Sequence, residues 1–282
     1  MEWRWEPSVG MVGSSLRVDG EELLGQRGGL EKYARTGSTF GVPLLHPWAN
    51  RLDRDLADSA YVRRDPNGLP IHGLLNGWPR WEVVAEEPKL LVAQFDFGAH
   101  DALLEVFPYP HVVEVEVRED TADRALAVTT RVRPTGDVPV PIAFGWHPYV
   151  TIPGTPREEW DVTLPVRSRL VADDRQLPTG AVEDVEYAQP LRLGDREFDD
   201  GYAGVDAGAR FAVSGAGRTV EVEFTSGYSH AQVYAPAGEQ LICFEPMTAP
   251  TNALESGDGL RSVDPGDSFE AVFRIRVPRR PE

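Results

Sequence analysis

The chain has 282 residues, of which 41% are hydrophobic and 26% are charged, a balance typical of a globular protein with a sizeable core. Its formal net charge of −17 argues against binding to the phosphate backbone of nucleic acids or to an anionic membrane surface. A single cysteine, Cys243, excludes a disulfide within the chain and argues against a cysteine-based zinc site.

The N-terminal region predicts a cytoplasmic protein. It has neither the basic segment nor the apolar core of a signal peptide, and no stretch approaches the length of a membrane span. Glycine-rich turns and short apolar patches over residues 1–40 indicate the first strands of a sheet. Residues 42–52 follow as a compact apolar loop that contains Asn50 and Arg51.

From residue 81 onward the pattern is repeatedly that of short strands separated by turns. The predicted strands are Trp81–Val84, Leu90–Phe97, Val112–Arg118, Leu126–Val132, Val162–Leu164, Ser168–Val171, Phe211–Val213, Val220–Phe224, Ala231–Tyr234, Leu241–Phe244 and Phe269–Val277. No convincing helical periodicity, internal repeat or break in composition appears. We therefore expect an all-β chain that forms one domain over residues 1–282, either a sandwich or a barrel.

The stretch that follows Leu241–Phe244 carries the best candidate for a general base. Because Pro246 cannot donate to a sheet ladder, we expect the strand to stop there and to leave Glu245 at its mouth. Apolar walls at such a position raise the pKa of a carboxyl group towards the range in which it acts as a base. The alternative is a structural glutamate that pairs with an arginine or caps a turn.

Two histidines are candidates for proton transfer. His72 precedes Gly73, and His147 lies in an aromatic segment, residues 144–149, of the kind that lines sugar pockets. For each of them the alternative is a core or turn histidine that is hydrogen-bonded to the backbone. His100 and His111 stand in polar or turn contexts, which predict a position on the surface.

Arg51 is a candidate for ligand binding, since it either binds an oxygen-rich ligand or pairs with a buried carboxylate. For Asp199, which stands beside Asp200 and before a glycine, the residues alone favour a simple turn. The chain has no glycine-rich phosphate loop, no His-Glu-x-x-His run and no Gly-x-Ser-x-Gly elbow. Nothing in the histidine spacing predicts a metal site.

Several segments together resemble the aldose 1-epimerase (galactose mutarotase-like) family. In family order they are Pro43–Leu52, Ile71–Leu75, Gly145–Tyr149, Phe198–Asp199, Glu245–Ala253 and Val263–Ser268. The resemblance implies a large twisted antiparallel β-sandwich, the supersandwich of galactose mutarotases. Trp146 and His46 depart from the family pattern, since many relatives have a polar residue at the first position and an apolar one is common at the second, and both could reshape the pocket.

The resemblance also implies an activity, the interconversion of α and β anomers of a free aldose. Glu245 would be the general base and His147 the general acid, while Arg51, His72 and Asp199 would bind the sugar. No metal or organic cofactor is implied. The expected partner is a small monosaccharide, and we expect a monomer or a weak homodimer.

Two alternatives stay open. In a hexose-6-phosphate 1-epimerase an arginine usually follows the His-Gly pair, whereas Leu74 follows it here, although Arg51 and Arg80 could still bind a phosphate. The net charge leans against that reading. A non-catalytic carbohydrate-binding β-sandwich would instead use tryptophans as stacking platforms, namely Trp48, Trp78 and Trp146. We favour the epimerase because a binding module needs no paired acid and base.

Overall fold

The computed structural model describes residues 1–57 and 59–279, and its regular elements are mostly β-strands. The strands of the N-terminal half are β1 (Glu2–Glu6), β2 (Val12–Val18), β3 (Glu21–Glu22), β4 (Leu44–Leu45), β5 (Glu82–Glu87), β6 (Leu90–Asp96), β7 (His111–Asp120), β8 (Ala125–Pro134) and β9 (Val140–Ile142). Those that follow are β10 (Gly145–Trp146), β11 (Tyr149–Val150), β12 (Asp161–Thr163), β13 (Ser168–Ala172), β14 (Pro178–Asp184), β15 (Leu191–Arg192), β16 (Phe198–Ala203), β17 (Ala209–Gly215), β18 (Arg218–Ser226), β19 (His230–Ala235), β20 (Ile242–Met247), β21 (Arg261–Val263) and β22 (Phe269–Arg276).

Two large antiparallel sheets form the body of the molecule. One has nine strands in the order β15-β12-β17-β18-β22-β8-β7-β6-β5. The other runs β14-β13-β16-β19-β20-β10-β4, with β11 also paired to β20. Two small sheets, β1-β2-β3 and β21-β9, complete the set. The predicted all-β antiparallel sandwich is confirmed.

The hydrophobic core lies between the two large sheets. Phe211 on β17 and Phe244 on β20 come from opposite sheets, and their ring centroids are 5.7 Å apart. Trp146 and Phe273 make a similar contact at 5.7 Å. Strands β7 and β22 present alternate side chains to this core, as the period of two in their sequences predicts. Burial of this apolar surface is the main force that holds the sheets face to face.

The sequence pattern missed the helix α1 (Gly29–Thr36). It has eight residues and buries only Tyr33, so there is no repeated apolar position from which a helical period could be detected. It ends at Gly37, which adopts a left-handed φ of 68° and donates its N–H to the carbonyl oxygen of Tyr33. Two single-turn helices, α2 (Asp101–Leu104) and α3 (Ala253–Ser256), were also missed.

The predicted end of the strand before Pro246 is wrong. Strand β20 continues to Met247, and Pro246 lies opposite Ala231 on β19. The neighbouring ladder is already interrupted here, between β10 and β11, and a proline is tolerated where ladder bonds are absent. Glu245 therefore sits within a strand rather than at its mouth.

No helix in the described ranges is long and apolar enough to cross a membrane.

Candidate active site

One cavity brings together the five residues that the sequence singled out. It encloses about 150 Å³ beside β20, and Arg51, His72, His147, Asp199 and Glu245 all line it. The remaining wall is formed by Arg27, Thr39, Asn50, Ile71, Tyr149 and Tyr234. A cavity of this size holds one six-membered ring.

Backbone register fixes the closest pair in the cavity. Gly145 pairs with Met247 and Tyr149 with Cys243 in one continuous register, and His147 and Glu245 are the residues midway between those pairs. The Nε2 atom of His147 lies 3.1 Å from the Oε1 atom of Glu245. The N–H of His147 is directed the other way, to the carbonyl oxygen of Pro43. Two adjacent strand segments thus deliver an imidazole and a carboxyl group to one point.

Burial shifts the two groups in opposite directions. Loss of solvent, reinforced by the Asp199 carboxylate and opposed by Arg51, raises the pKa of Glu245 well above its usual value. Loss of solvent also lowers the pKa of His147 well below 6.5, and His72 and Arg27 act in the same direction. Both shifts favour the uncharged forms, so the pair is balanced for passing a proton.

The cavity offers polar atoms that have no protein partner. In the described part of the chain, Oε2 of Glu245 is buried without a hydrogen bond, as are Nδ1 of His72 and Nδ1 of His147. An unsatisfied buried polar atom costs free energy. Other such atoms, including Nε1 of Trp5 and Nε1 of Trp81, lie outside the cavity, whereas these three belong to side chains that line it.

Arg51 joins two carboxylates at the cavity wall. Its Nε donates to Asp65 at 2.8 Å, and its Nη2 lies 3.6 Å from Asp199. In a third contact, Nη1 donates to the side-chain oxygen of Asn50 at 3.1 Å. Asp199 is fixed from its other side by Gln232, whose Nε2 donates to it at 2.7 Å. Arg51 therefore pairs with a buried carboxylate, as one of its two interpretations predicted, and it also lines the cavity, so its binding of a ligand stays a prediction. Asp199 lies on β16 and not in a turn.

His72 reaches the cavity through an unusual backbone. Its φ is 63°, and its N–H donates to the carbonyl oxygen of Asn50 at 2.9 Å. The next residue must be glycine, because a Cβ at Gly73 would overlap the His46 carbonyl group. Burial and the positive charge of Arg51 lower the pKa of His72 to about 3, so its ring is neutral. The His72 and His147 ring centroids are 5.5 Å apart.

Sequence reasoning missed the residues that hold His147 in place. The ring of Tyr149 stacks on His147 at 4.3 Å, and the Tyr149 hydroxyl lies 2.6 Å from that of Thr39. Arg27 donates to the hydroxyls of Tyr149 and Tyr234 and pairs with Glu239. Tyr149 could have been predicted from its place in the sequence beside His147. For Arg27 and Tyr234, nothing in the neighbouring sequence indicates a place in the cavity.

Several other expectations are corrected. His111 is fully buried and not at the surface, because its Nε2 lies 2.7 Å from that of the buried His46. The three tryptophans are not stacking platforms, since none of them lines the cavity. Trp146 and Trp48 are buried in the core, and Trp78 packs against Tyr61. Within residues 1–57 and 59–279, no three His, Cys, Asp or Glu side chains are grouped as metal ligands would be.

Comparison with known proteins identifies the family. The family model described as aldose 1-epimerase matches residues 12–276. The chain belongs to the aldose 1-epimerase family. An uncharacterised relative of this family member, YihR of Escherichia coli K12, is 24% identical over 264 residues, which span 85% of this chain and 82% of YihR.

Solved structures share the fold of this aldose 1-epimerase family member. A galactose mutarotase-like protein from Clostridium acetobutylicum superimposes with a TM-score of 0.82 at 20% identity, over 98% of this chain and 92% of that one. The Slr1438 protein from Synechocystis sp. PCC 6803 gives a TM-score of 0.77 at 23% identity, over 98% and 91% of the two chains. The match extends over nearly the whole of each molecule, so the sandwich is that of the galactose mutarotase-like proteins.

Proposed function

We propose that the protein is an aldose 1-epimerase that interconverts the α and β anomers of a free aldose. The observation that carries the proposal is the 3.1 Å contact between His147 Nε2 and Glu245 Oε1 at the edge of a ring-sized cavity. Anomer exchange needs one group that accepts a proton and one that donates it, both within reach of the same carbon atom.

In the forward step, Glu245 takes the proton from the anomeric hydroxyl. Its Oε2, which has no protein partner, is the atom available to that hydroxyl. His147 gives a proton from Nε2 to the ring oxygen, the C1–O5 bond breaks, and a C1=O1 carbonyl group forms. The products are an open-chain aldehyde, a protonated Glu245 and a neutral His147.

Closure reverses the roles after rotation about the C1–C2 bond. The O5 hydroxyl attacks the opposite face of C1, His147 recovers its proton, and Glu245 returns a proton to O1. The pair carries one proton in total before and after ring opening. Burial disfavours the charged pair and favours the neutral one, so the same desolvation that shifts both pKa values assists the first proton transfer.

The other cavity residues position the sugar. Arg51 and Asp199 present a donor and an acceptor held rigid by Asp65 and Gln232. His72 is neutral and keeps a free Nδ1 towards ligand hydroxyls. Such fixed partners hold the ring in the pose that proton transfer needs.

The charges around the cavity favour a free aldose over a phosphorylated one. Among the described residues, each arginine that lines the cavity already faces a carboxylate: Arg27 faces Glu239, and Arg51 faces Asp65 and Asp199. A phosphate group would have to compete for these cations. Arg80 does not line the cavity.

The deciding experiment is anomer exchange by NMR for glucose, galactose, xylose, arabinose and glucose 6-phosphate. We expect acceleration for at least one free aldose, and a loss on the order of 10³-fold in Glu245→Gln with sugar binding retained. Acceleration restricted to glucose 6-phosphate would favour a sugar-phosphate epimerase. Saturable binding without acceleration would favour a non-catalytic binding module.

A matched control separates chemistry from folding. Glu223 is also buried, but it pairs with Arg210 and Arg276 on the other large sheet, outside the cavity. Glu223→Gln should keep the exchange rate of the unaltered protein. An equal loss in both variants would contradict the assignment of Glu245 as the base.

A further inference from the structure

The turn that follows strand β20 contacts the segment that carries Arg51. Strand β20 ends at Met247, and Asn252 lies at the N-terminal end of the short helix α3. The N–H of Asn252 donates to the carbonyl oxygen of Arg51 at 3.1 Å, and its Oδ1 accepts the N–H of Asp53 at 2.7 Å. Two bonds from one residue thus hold the backbone on both sides of Leu52. We call this pair of bonds the Asn252 clamp.

The side chain of Asn252 is not used as an ordinary helix cap. An asparagine at this position normally accepts one of the first N–H groups of its own helix. The Asn252 side chain makes no such bond, and its backbone adopts a left-handed φ of 67°. Asparagine tolerates this conformation better than most other residues do. The side chain therefore stabilises the Arg51 segment and not the helix that it precedes.

The other end of the same turn is fixed to the segment that carries His147. The N–H and the Oγ1 of Thr248 both donate to the carbonyl oxygen of Phe144, at 3.0 and 2.9 Å. Thr248 is fully buried, so these bonds are shielded from water. Residues 248–252 therefore connect the segment of the proposed acid to the segment of Arg51, and they follow directly from the strand of the proposed base.

The placement of the Arg51 backbone matters because its side chain has little freedom. The guanidinium group donates to Asp65 and lies 3.6 Å from Asp199 at the cavity wall. Its fork is planar, and its donors have fixed directions, so a small shift of the backbone cannot be absorbed by both contacts. A misplacement of about 1 Å in a positioning group can cost about a hundredfold in rate.

Two ion pairs also reach the Arg51 segment, but they restrain it less. Arg54 pairs with Glu255, and Asp53 pairs with Arg175, through side chains that are 31–47% exposed. Exposed pairs of this kind contribute little, because two long or mobile side chains must be ordered for one contact. The Asn252 clamp joins backbone groups through one short side chain, which costs less conformational entropy.

We propose that Asn252 is a positioning residue that places Arg51 for sugar binding. Asn252 does not line the cavity, so it acts through Arg51 and not on the sugar itself. The proposal rests on the proposed epimerase function and adds a residue to the binding part of that site. A change at Asn252 should therefore alter sugar affinity and leave the proton transfer between His147 and Glu245 intact.

The first test removes the side-chain bond and keeps the backbone conformation. Glycine adopts a left-handed φ readily, so Asn252→Gly removes only the Oδ1 bond of the clamp. We expect the Kd and the KM of a free aldose to rise by about tenfold, with kcat changed by less than about twofold. Asn252→Asp keeps an oxygen acceptor and should return KM to within about twofold of the unaltered protein. Equal defects in both variants, or a loss confined to kcat, would overturn the proposal.

Asp19→Gly is the matched control for the glycine substitution. Asp19 also has a left-handed φ, of 55°, and lies between β2 and β3, outside the cavity. Replacing it with glycine should leave Kd, KM and kcat unchanged. A rise in KM equal to that of Asn252→Gly would show that the effect comes from a general loss of stability.

A double substitution tests whether Asn252 acts through Arg51. Arg51→Lys keeps a positive charge beside Asp65 but loses the planar fork. Adding Asn252→Gly to Arg51→Lys should raise KM by less than about twofold more, because the fork that the clamp positions is already absent. Full additivity of the two effects would show that Asn252 acts elsewhere.

Measuring affinity separately distinguishes this proposal from the proposed function. The Kd values for glucose and galactose come from NMR titration and do not depend on turnover. If neither sugar is epimerised but one is bound, the proposed function fails, and the Kd of Asn252→Gly still decides the role of Asn252. If neither sugar is epimerised or bound, both proposals are wrong.

Discussion

At the scale of single residues, the proposed mechanism depends on one proton that His147 and Glu245 share. The proposed reaction needs a carboxylate on Glu245 and a proton on His147, or the neutral pair that follows from the transfer. With two protons the base is lost, and with none the acid is lost. The two groups lie 3.1 Å apart, so their titrations are coupled and belong to the pair.

The pH dependence follows from this proton count. Activity should fall as the pH drops through the lowered pKa of the pair, well below 6.5, because a second proton is added. It should also fall as the pH rises through the raised pKa, well above 4.5, because the shared proton is lost. We expect a bell-shaped profile of kcat/KM for glucose or galactose, measured by polarimetry. A value of kcat/KM that does not fall at low pH, or does not fall at high pH, would contradict a mechanism in which the pair shares one proton.

Asp65 is a positioning residue that sequence reasoning did not find. It is buried, its Oδ2 holds Arg51, and its Oδ1 accepts the N–H groups of Asn67 and Leu69 in a turn. Asp65→Asn keeps an oxygen for the turn but removes the charge that orients Arg51. We expect kcat/KM to fall by about tenfold, mainly through KM, with kcat and the position of the pH profile little changed.

Asp173 provides the control for this substitution. Its Oδ1 accepts the N–H groups of Arg175 and Leu177 in a turn of the same form, but it holds no cavity residue. Asp173→Asn should therefore leave both kinetic constants unchanged. If both variants lost activity equally, the effect would come from turn stability and not from Arg51.

At the scale of elements, the geometry of the candidate active site depends on close packing of β10 against β20. A Cβ placed on Gly145 would lie 2.7 Å from the carbonyl oxygen of Pro246 and 3.0 Å from Ala49. Backbone atoms cannot yield as a flexible side chain can, so the strands would have to separate. That separation would move His147 relative to Glu245, since both are placed by these segments.

Gly145→Ala should therefore impair stability and activity together. We expect the free energy of unfolding to fall by about 1–3 kcal/mol, measured in urea, and kcat to fall with it. Gly136→Ala is the control, because its nearest contacts, with Pro110, begin at an ordinary 3.4 Å. Full activity in Gly145→Ala would show that the spacing of these strands is not critical.

The same elements show how far the sequence could predict the fold. Strands such as β7 and β22 were predicted correctly because alternate residues face the core, and the sequence shows the same alternation of apolar and polar residues. The extension of β20 past Pro246 was not predicted, because it depends on the interruption between β10 and β11, which pair with β20. Helix α1 escaped detection because one buried residue makes no period. The five proposed site residues were singled out through motifs, and the structure brings them to one cavity. Asp65 and Arg27 were not singled out, because their contacts with Arg51 and Tyr149 join residues that are distant in sequence.

At the scale of the whole molecule, the buried histidines set the response to acid. Five of the six have a pKa lowered by burial: His46, His72, His111, His147 and His230. The position of His111 could not be predicted locally, because its partner His46 lies 65 residues away and is brought to it by packing of the two segments. The raised pKa values of Glu245 and Asp200 act in the opposite direction, whereas the lowered pKa values of Glu114, Asp120 and Glu239 act in the same direction as those of the histidines.

Stability should therefore fall steadily under mild acid. A group whose pKa is lowered in the folded state contributes fully above its unfolded pKa, near 6.5, and loses that contribution as the pH falls towards the folded pKa. For His111 the folded pKa is about 4, which corresponds to about 3 kcal/mol over this range. Urea unfolding at several pH values between 7 and 4 measures the slope.

Two variants test whether His111 causes the slope of unfolding free energy against pH. His111→Asn should flatten it, even though the variant is less stable at pH 7. Phe107→Leu removes buried apolar surface beside His111 without removing a titratable group, so it should lower stability equally at each pH. An unchanged slope in His111→Asn would show that other groups control acid unfolding.

The shared register of β20 with β10 and β11 has a consequence for how this family can diversify. The proposed acid and base are placed by this one register, whereas the cavity walls proposed to contact the rest of the sugar come from separate segments around Arg27, Arg51, His72 and Asp199. Mutations in those walls can accumulate without changing the distance between His147 and Glu245. New substrate preferences are therefore best sought in mutant libraries that randomise the residues of the cavity walls and leave the paired segments of β10, β11 and β20 unchanged.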